Sequence, residues 1–200
     1  RWIFNSGRVL GSGVLTVSFG ANNTRIQISS GQTGFTGKWV VDSGGNQNRY
    51  VELFSSTAFG GASGSDAITL VNSGTLTLRD TVTLGSVTQG VLLGSGQSRI
   101  SVTDNSTAVV ASALSGPVTN TLLLATGSNP NSLLIISNSA NSWLGETTLG
   151  GSGIVRLGLP GVLPDAGGNL VLNSSVRLDL NGNSEAIGGL FGSGRVDNPV

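Results

Sequence analysis

Short apolar segments separated by glycine and asparagine turns recur from one end of this chain to the other, roughly one every 11 residues, the spacing of an all-β sandwich, barrel or solenoid. The predicted strands lie at 14–17, 25–28, 38–41, 51–53, 68–71, 75–78, 82–84, 91–93 and 100–102. They continue at 108–110, 122–124, 133–136, 147–149, 154–157, 170–172 and 176–180, and the tail adds 186–190 and 194–196. Ser43-Gly44-Gly45, Asn72-Ser73-Gly74, Asp104-Asn105 and Asn181-Gly182 supply turns between them. Helix is disfavoured: the chain holds three Glu and one Lys, while its 32 Gly fall throughout, and glycine costs about 1 kcal/mol against alanine inside a helix.

Composition decides what such a fold can carry. Only 10% of the 200 residues are charged, ten basic against ten acidic. Without a basic excess, nucleic acid and anionic membrane are poor partners. No Cys and no His are present, which excludes a thiol nucleophile, a disulfide, an imidazole base and any His or Cys metal site. A low charge could signal disorder, but 38% of residues are hydrophobic, mostly Val, Leu and Ile, a content disordered chains lack. The longest apolar run, near residues 122–125, is far short of the roughly 20 residues a membrane helix needs. The chain starts at Arg1 with nothing like a signal peptide beside it, so it reads as an interior piece of a longer polypeptide.

Internal echoes favour a solenoid over a sandwich. Leu10-Gly-Ser-Gly-Val-Leu-Thr-Val is echoed by Leu114-Ser-Gly-Pro-Val-Thr-Asn-Thr and by Leu190-Phe-Gly-Ser-Gly-Arg-Val. Aromatic–glycine segments follow the first two, Phe35-Thr-Gly-Lys-Trp-Val-Val and Trp143-Leu-Gly-Glu-Thr-Thr-Leu. A degenerate array of strands and glycine turns is the mark of stacked repeats. The chain reads as one β-solenoid segment, residues 1–200, with a loose repeat unit at 10–102 and a clearer one at 114–196.

Five submotifs in order occupy residues 141–196. They are Asn141-Ser-Trp-Leu-Gly-Glu-Thr, Gly153-Ile-Val-Arg-Leu-Gly, Gly161-Val-Leu-Pro, Val176-Arg-Leu-Asp-Leu-Asn-Gly-Asn and Ile187-Gly-Gly-Leu-Phe-Gly-Ser-Gly-Arg-Val. This block resembles the autotransporter-associated β-strand repeat. Residues 10–102 are a looser copy, with Lys38-Trp39 where the pattern has small residues and Thr, and without the Leu-Asp-Leu-Asn-Gly element. The resemblance implies a right-handed parallel β-helix within a large secreted or surface-exposed bacterial protein. Three strands per coil at the observed spacing predict about six coils, or a rod of roughly 30 Å.

Chemistry-bearing patterns are sparse. Parallel β-helices also serve as polysaccharide hydrolases and lyases, and a glycosidase needs two carboxylates about 5–10 Å apart. The seven Asp and three Glu include no adjacent or alternating pair, so no catalytic residue is assigned. Asp179 is expected to pair with Arg177 on one solvent-facing strand face, and Asp42, Asp104 and Asp165 read as turn carboxylates. Lys38 lacks the context of a phosphate loop, Gly94-Ser-Gly96 lacks the third glycine of a dinucleotide fingerprint, and Gly150–Gly153 lacks the aspartate of calcium solenoids. No cofactor or metal site is expected. The Asn-x-Ser/Thr triplets at Asn22, Asn105 and Asn173 fit chance in a chain this rich in Asn, Ser and Thr. Trp2, Trp39, Trp143, Tyr50 and the six Phe are expected to plug coil ends and corners, and exposed aromatics would instead stack on sugars. Thr75-Leu-Thr77 and Thr81-Val-Thr83 echo an ice-binding rank, but the rank does not recur elsewhere, and β-propensity with outward-facing Thr accounts for both.

The sequence therefore predicts a non-enzymatic structural stalk or passenger segment on the outside of a bacterium, for display or fibre formation. An adhesin-type module for glycans or cell surfaces is the alternative, and a carbohydrate-active β-helix enzyme the next. Expected partners are further coils of the same chain or like subunits stacked end to end, because uncapped solenoid edges recruit strands. Both ends of the fragment are expected to continue into more β-structure.

Overall fold

The computed structural model describes residues 2–4, 9–21, 24–86, 88–165 and 168–199. Among these residues the regular structure is all β, with 21 strands and no helix. The chain winds through three parallel sheets as a β-solenoid. Nine strands make the long sheet: Trp2–Phe4, Arg25–Ile28, Tyr50–Leu53, Thr75–Leu78, Gln97–Val102, Thr121–Ala125, Thr147–Gly150, Leu170–Leu172 and Leu190–Gly192. The second sheet runs Val14–Ser18, Lys38–Asp42, Gly64–Val71, Gln89–Leu93, Leu114–Gly116 and Ser142–Trp143. The third starts later, with Thr83–Leu84, Thr107–Val110, Leu133–Ile136, Ile154–Leu157, Arg177–Asp179 and Arg195–Asp197.

Side-chain stacks explain why the coils hold register. Ile26, Val51, Leu76, Ile100, Leu124, Leu149 and Leu172 stand opposite one another in turn along the long sheet. Leu15, Trp39, Ile68, Val91 and Leu114 do the same on the second, and Ala108, Leu134, Val155, Leu178 and Val196 on the third. Alternate residues of each strand point inward, so a one-residue slip would turn a whole stack out to water. Buried amides tie the turns together. Asn141 accepts from the Leu114 N–H at 2.8 Å and donates to the Val162 carbonyl at 2.8 Å, spanning three successive coils. Tight turns at Asp80 and Asn105, both with positive φ, send their N–H groups to Ser106 at 3.0 Å and Ser132 at 3.1 Å one coil later.

The expected parallel β-solenoid is what forms, with two corrections of detail. Successive strands of the long sheet are 20–25 residues apart in register, so nine strands give eight turns rather than six, about 38 Å of rod at 4.8 Å per turn. The spacing argument overestimated the coil because Trp2–Phe4, Leu114–Gly116 and Ser142–Trp143 carry little aliphatic pattern and were missed, and because the third sheet has no described strand before Thr83–Leu84, so the early coils hold fewer than three strands each. Pairing by neighbours makes these segments strands, a case of context overriding intrinsic preference. The predicted strand at 186–190 is instead irregular up to Leu190, where strand Leu190–Gly192 begins.

The resemblance motifs have plain structural jobs. Trp143 is 1% exposed, and its indole N–H donates to the Thr147 hydroxyl at 2.7 Å. Asn181 and Gly182 both adopt positive φ, 54° and 74°, the region where Asn and Gly are tolerated best. Of the two long-range echoes, Leu114 lies on the second sheet and Leu190 on the long one.

Candidate binding groove on the long sheet

Outward residues of the long sheet form two adjoining columns. Arg25 stands opposite Tyr50, and Arg99 lies between Thr75 and Leu123. In the next column Gln27, Glu52, Thr77, Ser101 and Ala125 follow one another. These outward positions are not all open to water: Glu52 is 2% exposed, Thr75 1% and Ser101 4%. Turn segments cover them. Gln47, in the turn before Tyr50–Leu53, reaches across to the Gln97 carbonyl at 3.0 Å. Asp104 and Ser128 border the other side. Between these walls lies a cavity of about 400 Å³, floored by Tyr50, Thr75, Thr77, Arg99 and Ser101.

Two arginines in the same sequence pattern meet opposite fates here. Arg25-Ile-Gln-Ile and Arg99-Ile-Ser-Val both send a cation outward at the head of the strand core. Two residues beyond Arg25, Gln27 faces Glu52 of the next coil. Glu52 pairs with Arg25 at 3.3 Å and Arg79 at 3.0 Å and accepts from the Gln27 amide at 2.5 Å. Arg79 also lies 5.2 Å from the Phe54 ring centre, in cation–π range. Two residues beyond Arg99, Ser101 faces Ala125. Alanine stands where the acid would be, and among the described residues Arg99 has no ion pair. Its Nε is buried without a hydrogen-bond partner. Burial lowers the Arg99 pKa from its ordinary value, against a smaller raising influence of Tyr50. The groove thus has a half-buried cation at its floor, with no ion pair among the described residues.

The hydroxyls around Arg99 keep acceptor capacity. Thr75 spends its donor on the Ser73 carbonyl at 3.0 Å, and Thr77 and Ser101 lie 3.1 Å apart, one donating to the other. Each hydroxyl has one donor and two acceptor lone pairs. Of the three, Thr77 is the partly exposed one, with Thr75 and Ser101 almost wholly covered.

The carboxylates singled out from sequence lie apart. Asp42 accepts from the Gly44 N–H at 2.9 Å and the Asn72 amide at 3.1 Å, a turn role as expected. Asp104 also sits in a turn, held by the Ser128 hydroxyl at 3.1 and 3.2 Å and the Asn129 N–H at 3.1 Å. Asp165 borders a separate shallow hollow with Ser142 and Leu144. Asp179 is a correction. It is fully buried and pairs at 2.8 Å with Arg156 of the previous coil, while Arg177 pairs at 3.5 Å with Asp197 of the next. Parallel register puts Arg156 directly opposite Asp179, and such cross-strand neighbours are closer than residues two apart on one strand. Lys38 pairs with Asp66.

The aromatic expectation divides. Trp39, Trp143, Phe35 and Phe59 are buried core residues, Tyr50 lines the groove, and Phe191 is 55% exposed. The side chain of Trp2 and the triplet residue Asn22 lie outside the described residues. Thr75 and Thr77, read from sequence as outward threonines, are outward and floor the groove. Sequence reasoning missed Arg99 and Glu52, whose difference rests on which residue the next coil supplies. Among the described residues no three of His, Cys, Asp and Glu gather as a metal-holding group, and there is no helix long and apolar enough to cross a membrane. No family model, curated protein or solved structure matches the chain.

Proposed function

We propose that the chain is a structural segment of a secreted or outer-surface bacterial protein, a stiff β-solenoid that spaces or displays other parts. The observation that carries this reading is the uninterrupted ladder from Trp2–Phe4 to Leu190–Gly192. Each coil is bonded through its strands and turn amides to both neighbours, so bending the rod would break many bonds together. The resemblance of residues 141–196 to autotransporter repeats supports the surface location. In intact cells of the source organism, external protease is expected to remove the epitope carried by this chain while cytoplasmic markers survive. Full protection until the envelope is opened would overturn the reading.

The same proposal extends to its partners. At the final coil the core lies open: Leu190 is 53% exposed and Val196 42%, although each continues an inward stack through Leu170 and Leu178. Together with Leu180 and Ile187 they line an apolar hollow of about 170 Å³. Glu185 sits at its edge, accepting from the Val162 and Leu163 N–H groups at 3.1 and 3.2 Å. Burial raises the Glu185 pKa above its ordinary 4.5, opposed by those backbone bonds. An apolar core end beside an unpaired strand edge fits another parallel coil. The purified chain is expected to self-associate at micromolar concentration by sedimentation velocity, and a Leu190→Thr, Val196→Thr double variant to shift markedly toward monomer. A wild-type protein that stays monomeric at 100 micromolar (about that concentration, chosen to favour weak edge pairing) would refute this.

A further inference from the structure

The groove on the long sheet supports a ligand assignment that is independent of the structural reading. We propose that it binds a carboxylated saccharide unit, with the carboxylate on Arg99 and the sugar hydroxyls against Thr77 and the Tyr50 phenol. The cation comes first. A guanidinium matches a carboxylate through two parallel N–H···O bonds; on the outward columns Arg25 and Arg79 share Glu52, while Arg99 has no ion pair among the described residues. Arg99 is half-buried and its Nε is buried without a partner, and an unmatched donor is unfavourable, so a native site of this kind gains when an anion enters.

The remaining walls narrow the anion. Thr77 and Tyr50, the half-buried hydroxyls of the floor, offer polar contacts without further charge, so the rest of the ligand is neutral and rich in hydroxyls. Tyr50 contributes a flat ring and a phenol on the same floor, a surface that suits a sugar ring. Asp104 stands at the rim, where it accepts from Ser128 and Asn129. The floor crosses the three strands Tyr50–Leu53, Thr75–Leu78 and Gln97–Val102, a run of about 10 Å at the usual strand spacing. That length takes a short oligosaccharide better than a single small ion.

The test is calorimetric titration of the whole 200-residue chain with a uronic-acid trisaccharide, its methyl ester and inorganic sulfate. The expected result is saturable binding of the acid, at least about tenfold weaker binding of the ester, and sulfate that neither binds nor competes comparably. Arg99→Gln is expected to abolish binding and Arg99→Lys to weaken it severalfold, since an ammonium cannot make the paired contact. Arg195→Gln, on the final coil outside the groove, should bind as the parent does. Circular dichroism and a thermal melt check that each variant is folded. If Arg99→Gln does not fold, the Arg99→Lys and methyl-ester comparisons still decide. No binding, equal binding of acid and ester, or equal competition by sulfate would each overturn the assignment. The protease result on cells is unaffected by any of these outcomes, so the two proposals fail separately.

Discussion

Gly145→Ala is expected to destabilise the solenoid by at least about 3 kcal/mol, beyond the usual upper range for overpacking a core by one methyl group. A methyl carbon on Gly145 would sit 1.4 Å from the Asn120 carbonyl oxygen and 2.6 Å from its carbon. Both are backbone atoms, so no rotamer change relieves the clash. Moving Asn120 aside would also disturb the buried hydrogen bond its side chain donates to the Gly94 carbonyl. A buried polar group left unpaired adds about 1–3 kcal/mol. Against a net stability of about 5–15 kcal/mol for a domain, the variant should show a much lower urea midpoint or fail to accumulate as folded protein. Gly13 is the control. A methyl group there meets nothing within 4 Å, and its φ is not positive, so Gly13→Ala should leave the midpoint nearly unchanged. A Gly145→Ala midpoint equal to the Gly13→Ala value would show that adjacent coils are not packed this closely.

Trp39→Ala should cost about 3–5 kcal/mol, the range for removing a large buried aromatic. Trp39 is 1% exposed and stands on the second sheet between Leu15 and Ile68. Its ring meets Phe35 edge-on at 5.3 Å and Phe59 at 5.2 Å, and its indole N–H donates to the Phe59 carbonyl at 3.1 Å. The third sheet has no described strand before Thr83–Leu84, so this cluster fills the core of coils that have strands on only two sides. The loss should exceed that of Leu114→Ala, which removes a smaller side chain from a core bounded by all three sheets. Trp39→Phe keeps most of the ring volume and should recover more than half of the lost stability. A thermal or urea melt distinguishes these ranks. An alanine variant within about 1 kcal/mol of the parent, below the range for large-to-small core substitutions, would mean that the cluster does not hold the early coils together.

Most strands were legible because their causes are local. Thr75-Leu-Thr-Leu alternates at a period of two, and inward Leu76 and Leu78 are both fully buried. Turn chemistry was equally direct: Asn72, Asn105 and Asn181 take the positive φ that short polar residues and glycine tolerate. Weakly patterned strands escaped. Ser142–Trp143 is a strand because Ser115 and Gly116 pair with it, and nothing within those two residues announces it.

The sequence by itself determined that this chain is a run of short strands joined by tight turns, since alternation and turn preference act within a few residues, and its echoes favoured a solenoid over a sandwich. Tertiary structure decided which residues meet across coils. Asp179 found Arg156 rather than Arg177 because the register is set by the whole stack beneath it. Arg25 gained Glu52 and Arg99 faced no acid because coils of 20–25 residues bring different side chains opposite them. The groove follows from the same cause. Gln47 and Gln97 are 50 residues apart along the chain, and only the winding of the coils places one over the other to wall in the unpaired cation.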